Sequence, residues 1–137
     1  MSEAYRVAIT TDADVVTARQ RARSMGGELG FTSTDLTLLA TAISEVARNI
    51  TAYAGEGEVM LRIVRGANGR EGIEVVAQDQ GPGIANDELA LQDGYTTGTG
   101  LGLGLPGARR LVDEFELQTT PGEGTMVRLV KWGRAGG

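Results

Sequence analysis

The stretch from Leu36 to Ile50 constrains the fold more than any other part of the chain. Leu36, Leu39, Ala40, Ile43, Val46, Ala47 and Ile50 recur at spacings of three and four, which gathers them into one apolar stripe along an α-helix. Ser33 or Thr34 is placed to cap it. A helix with one apolar face is stable only against another apolar layer, so the remaining segments must supply that layer.

Strand-like segments are available for it. YRVAIT (5–10) alternates as a first strand, and Thr11-Asp12 offers caps for a following helix, expected to stop at Gly26-Gly27. The two Val/Ile-rich runs between Gly57 and Gly81 read as a hairpin joined through Asn68-Gly69, with Gly66 and Gly72 leaving the turn type open. Residues 104–114 resume helical spacing, and FELQTT and TMVRLVKW form two closing strands around PGEG. The order β, α, α, β, β, loop, α, β, β predicts one domain over 1–137. Its fold class is α+β: a two-layer sandwich with a mostly antiparallel sheet covered on one face by helices.

Composition narrows the chemistry. The chain has neither Cys nor His, which excludes disulfides, thiolate and imidazole metal sites, and Ser-His-Asp or Cys-His catalysis. Proton transfer falls to a carboxylate, or less plausibly to Tyr or the lone Lys131. A net charge of -5 with scattered arginines argues against a nucleic-acid partner. The densest basic stretch, Arg19, Arg21 and Arg23, reads as a solvated helix face or a partner surface. No apolar run approaches the roughly 18 residues needed to cross a bilayer, and nothing reads as a leader peptide, so the expected location is the cytoplasm.

One segment spends backbone freedom without an obvious structural return. GYTTGTGLGLGLPG (94–107) holds six glycines and no charge, although each mid-chain glycine costs roughly 0.5–1 kcal/mol relative to alanine. It lacks the Lys and Ser/Thr of a Walker A loop. GLGLPG matches a dinucleotide fingerprint but follows a loop, not a strand, and there is no room for the rest of a protein-kinase fold. The general reading remains: amides running into a helix N-terminus make an anion-binding concavity. Taken alone, the run fits a flexible linker equally well.

Two companions bear on that choice. Glu45 and Asn49 are four apart on one helical face, turned from the Leu39/Ile43/Ile50 stripe and flanked by Ala42 and Ala52. By themselves they read as a solvated polar pair. Asp79 ends an apolar strand just before Gly81 and Gly83. There a carboxylate could accept from an exocyclic amine while the glycines admit a flat base, although Asp also commonly opens a turn.

Together, Glu45-x-x-Arg48-Asn49, Asp79-x-Gly81-x-Gly83, Gly100-x-Gly102-x-Gly104 and Gly124-Thr125, in that order, resemble the N-box and glycine boxes of the Bergerat-fold ATPases. These include histidine kinase catalytic domains, Hsp90, type II topoisomerase ATPase domains and MutL. ISEVARNI, DGYTTGTGLGLGLPGARRLVDEFEL and VRLVKW narrow the resemblance to the anti-sigma-factor serine/threonine kinases of the RsbT-type switch family.

That resemblance implies ATP and Mg²⁺ as cofactors. It implies Asn49 as the magnesium ligand, Asp79 with Thr125 at the adenine amino group, and Gly81 and Gly83 beside the base. Gly100, Leu101, Gly102, Leu103 and Gly104 would hold the phosphates, residues 86–103 would form a lid, and Glu45 would be the general base. Arg48 and Arg109 would contact phosphate or a partner. The implied partners are STAS-domain substrates in a stressosome-like assembly and a downstream serine phosphatase. The alternative is an anti-sigma factor that acts mainly by sequestering its sigma factor. A detached histidine kinase domain fits less well, because the chain has no histidine to phosphorylate and no dimerisation helix pair is evident.

Overall fold

The computed structural model describes residues 4–80, 104–120 and 123–133. β1 (Tyr5–Ile9) leads into α1 (Asp12–Glu28). The start of α1 is closed by Asp14, whose Oδ2 accepts the N–H groups of Thr10 and Thr11 at 2.9 and 3.0 Å. These bonds, with the Thr10 N–H and hydroxyl foremost, hold the Asp14 carboxyl below its ordinary range.

Gly26 and Gly27 do not stop α1, contrary to the sequence expectation. A Cβ on Gly26 would stand 2.5 Å from Leu36 Cδ2 and 3.2 Å from Phe31 Cδ2, so this glycine lets the end of α1 close onto the chain that follows. The reversal comes at Gly30, at a φ of 78°, where a side chain would be strained.

α2 (Ser33–Tyr53) is capped by Thr32, one residue before the predicted caps. The Thr32 hydroxyl accepts from Asp35 N–H at 3.1 Å while the Asp35 carboxylate accepts from Thr32 N–H at 3.4 Å. This reciprocal pair satisfies two otherwise orphaned donors. The apolar stripe behaves as predicted: Leu39, Ile43, Val46, Ala47 and Ile50 are all buried in the core.

β2 (Gly57–Arg65) and β3 (Glu71–Asp79) form the expected hairpin. Its turn is a single 3₁₀ turn at Ala67–Gly69, closed by Gly66 N–H donating to Arg70 O at 2.8 Å, with Gly69 at a φ of 75°. Gly66 and Gly72 serve packing: a Cβ on either would meet the Trp132 ring at 2.7 Å.

α3 (Gly104–Leu111) ends before the predicted Glu114, because sheet pairing takes over. Asp113 N–H donates to Val130 O at 2.9 Å, and Glu114 opens β4 (Glu114–Thr120) opposite Val130. β5 (Gly124–Trp132) completes a five-stranded sheet in the order β1-β2-β3-β5-β4, antiparallel at every pairing.

The register decides which face is apolar. Val59 opposes Ala77, Leu61 opposes Val75, and Val75 and Ala77 oppose Leu129 and Val127. Strand alternation puts these on one face, where they pack with α1, α2 and α3 in a single core. α2 lies between the other two helices.

The opposite face is charged. Glu74 sits at its centre, only 4% exposed, and accepts from Arg62 Nε at 2.6 Å and Arg128 Nε at 2.7 Å. Burial works against its ionised form, but the two guanidinium bonds outweigh it and lower its pKa.

Candidate active site

Four of the predicted site residues lie on the described elements: Asn49, Asp79 and Thr125 towards one end of the helix and sheet layers, and Glu45 one turn before Asn49 in the middle of α2. Gly81, Gly83, Gly100, Leu101, Gly102 and Leu103 lie outside the described residues, as does the predicted lid at 86–103. Gly104 is the first residue of α3.

The antiparallel register lines up one residue from each strand. Ile9 pairs with Gly57, Gly57 with Asp79, Asp79 with Thr125, and Thr125 with Thr119. Asp79 is at the centre of this row, where its Oδ1 accepts from Thr125 N–H at 3.3 Å. The Thr125 hydroxyl stands 3.0 Å from that of Thr119.

Glycines make the tight approach to Asp79 feasible. A Cβ on Gly57 would stand 2.4 Å from Gln78 O and 3.1 Å from Asp79 Cβ. Gly124 is held at a φ of 121°, and a Cβ there would stand 2.2 Å from Asp79 O. Neither strand could carry a side chain at these points without shifting the backbone that carries Asp79.

α2 is tied to the same end. Ile50 Cγ2 would stand 2.8 Å from a Cβ on Gly57, so the last turns of α2 rest against the row that carries Asp79. Asn49, the neighbour of Ile50, is 3% exposed, and its Oδ1 has no hydrogen-bond partner among the described residues. A buried amide oxygen left without a partner costs roughly 1–3 kcal/mol. Such an atom in an otherwise well-paired helix suits a ligand role, because a cation or donor brought by that ligand would satisfy it.

Glu45, one turn earlier, is 5% exposed, and its Oε2 accepts from Arg48 at 3.1 Å. The pair expected to face a ligand is therefore enclosed instead of solvated, with α3 packed against α2. Ala42, expected to flank the pair, is in the core, while Ala52 is exposed. Arg48 bonds Glu45 while its own side chain stays 38% exposed, and Arg109 is exposed at the end of α3.

An open cleft of about 840 Å³ at this end of the sheet is lined by Gly57, Asp79, Gly124 and Thr125. Its other walls include Glu58, Gln78 and Met126, which strand alternation assigns to the charged face. Among the described residues neither Glu45 nor Asn49 lines it, while Ala54, at the end of α2, does.

Sequence reasoning missed Gly57 and Thr119. Both signals were present in the turns: Gly57 and Asp79 lie equally far from Asn68, and Thr119 and Thr125 equally far from Gly122. Counting outward from each turn yields the pairing that places them beside Asp79.

The chain matches the histidine kinase-like ATPase domain family over residues 9–131. It is 46% identical to the serine/threonine-protein kinase RsbT of Bacillus subtilis, over 96% of this chain and 98% of that protein. It is 30% identical to an anti-sigma F factor of Caldanaerobacter subterraneus, over 84% of this chain and 82% of the relative. Among solved structures, the RsbU and RsbW domains of a Mycobacterium tuberculosis protein superpose with a TM-score of 0.62 at 20% identity, covering 98% of this chain and 34% of that one.

Proposed function

The chain belongs to the histidine kinase-like ATPase family, among its RsbT-type serine/threonine kinases, and on that premise we propose that it phosphorylates a STAS-domain protein from Mg-ATP in a bacterial partner-switching module. The observation that carries this reading is the buried, partnerless amide oxygen of Asn49, one residue from the contact that joins α2 to the Asp79 row.

The residues divide the work. Asp79 accepts from the exocyclic amine of adenine, and Thr125 steadies it through the N–H bond to Oδ1. Gly81 and Gly83 border the base, Gly100, Leu101, Gly102, Leu103 and Gly104 offer amides to the phosphates, and residues 86–103 form the lid. Asn49 would hold Mg²⁺, which when bound neutralises phosphate charge. Glu45 receives the proton of the attacking Ser or Thr hydroxyl. Phosphoryl transfer demands positioning and charge neutralisation above all, and a chain without His or Cys lacks nothing it requires.

In this reading, phosphorylation of a stressosome-like STAS assembly releases the kinase to activate a metal-dependent serine phosphatase. The reaction runs in the cytoplasm.

Incubation with radiolabelled ATP and the STAS-domain proteins encoded beside this gene tests the reading. Label on serine or threonine, abolished by Glu45→Ala while Mg-ATP binding persists, supports it. The likeness to an anti-sigma F factor favours a second reading, sequestration of a sigma factor. A pull-down dominated by a sigma factor, with no STAS protein bound and no transfer, would select it.

A further inference from the structure

We propose that Arg48 is a positioning residue for Glu45, fixing the plane of the base's carboxylate through its bond to Oε2. The proposal rests on the reading of Glu45 as the general base.

The Glu45 side chain is 6% exposed and that of Arg48 is 38% exposed, with 3.1 Å between Arg48 Nη1 and Glu45 Oε2. Glu45 lies mid-way along α2, far from the helix N-terminus where backbone N–H groups could stabilise a carboxylate. A buried carboxylate in that position needs a cation or donor, and Arg48, one turn along the same helix, supplies one.

The terminal torsion of a glutamate is broad and weakly restrained. Burial alone therefore does not aim a carboxylate, whereas an arginine anchored on the same rigid helix does. Aim matters for a base, because a misplacement of about 1 Å can cost on the order of 100-fold in rate.

The alternative role for an arginine here is to grip phosphate directly, and the two roles separate kinetically. A positioning Arg48 affects the chemical step. A gripping Arg48 affects nucleotide affinity, more for ATP than for ADP.

The test uses the full chain and a STAS-domain protein encoded beside its gene. It measures phosphotransfer at saturating Mg-ATP, calorimetric affinities for Mg-ATP and Mg-ADP, and thermal unfolding. Arg48→Ala is expected to lower kcat about 10- to 100-fold, to leave both affinities within about threefold, and to stay folded but unfold at a lower temperature, because a buried carboxylate loses its partner. Arg48→Lys is expected to recover most of kcat, because a single N–H to Oε2 contact is within a lysine's reach.

An unchanged kcat in Arg48→Ala overturns the proposal, as does selective loss of Mg-ATP affinity at unchanged kcat, or a lysine variant no better than alanine. Glu45→Gln separates the layers. If it stays active, the base reading fails and takes this proposal with it. If it is inactive while Arg48→Ala turns over normally, the base reading stands and only the positioning role fails.

Discussion

Asp79 and Thr125 face each other across β3 and β5, and the Thr125 N–H donates to the Asp79 carboxylate at 3.3 Å. That bond fixes one oxygen of a side chain that ends its strand, and the flanking glycines let the neighbouring strands close onto the Asp79 backbone. Replacing Asp79 by Asn keeps the shape but puts an amide donor where an adenine amine needs an acceptor. We expect Mg-ATP affinity to fall by about 10- to 100-fold, the equivalent of one or two lost hydrogen bonds to a charged group. Calorimetric titration checks this, and unaltered affinity would remove Asp79 from the base site.

Gly124 lies against the backbone of Asp79. Alanine there meets Asp79 O and adopts a φ of 121° that L residues rarely occupy. Strain of this kind costs about 1–3 kcal/mol, so Gly124→Ala should lower the urea midpoint and weaken nucleotide binding together. Gly26→Ala, whose nearest contact is the flexible end of Leu36, should lower the midpoint with binding intact. Urea titration with parallel binding assays distinguishes the two, and the idea fails if Gly124→Ala folds and binds like the wild type.

Asn49 exchanges stability for function. Because its Oδ1 has no partner among the described residues, Asn49→Ala removes a buried acceptor that contributes little to folding. The variant should unfold within a few degrees of the wild type while its magnesium-dependent ATP affinity drops at least about tenfold. A large fall in melting temperature without loss of binding would show that the amide is structural.

Glu74 makes stability respond to acid. Its pKa is lowered in the folded protein, since the bonds from Arg62 and Arg128 overcome the effect of burial. A depressed carboxylate contributes stability that is fully present above its unfolded pKa, near 4.3, and is lost as pH falls through the folded value. Melting temperature should therefore decline below about pH 4.3 in the wild type, and less steeply in Glu74→Gln. At neutral pH the glutamine variant should be less stable by about 1–3 kcal/mol. Parallel melting curves for the two proteins across the acid range would rule out this role for Glu74.

The sequence by itself determined the layers, because periodicity is local: the α2 stripe from Leu39 to Ile50 and the alternation in β2, β3 and β5 each specify a buried face without reference to the rest of the chain. It also held the chemistry of Glu45, Asn49 and Asp79, since residue type and order carry that information. Helix ends were less legible. Gly26 reads as a stop from composition, yet its real use is to let Leu36 and Phe31 pack closely, a contact between segments that no local rule contains. Glu45 was read as facing away from the Leu39/Ile43/Ile50 stripe, yet it is buried, because burial depends on the segments that pack around α2. The Arg48–Glu45 bond is local, three residues apart on α2, but the row Gly57, Asp79, Thr125, Thr119 was decided by tertiary structure alone. Strand register arises only when distant segments meet, and it lines up polar residues that lie far apart in the chain.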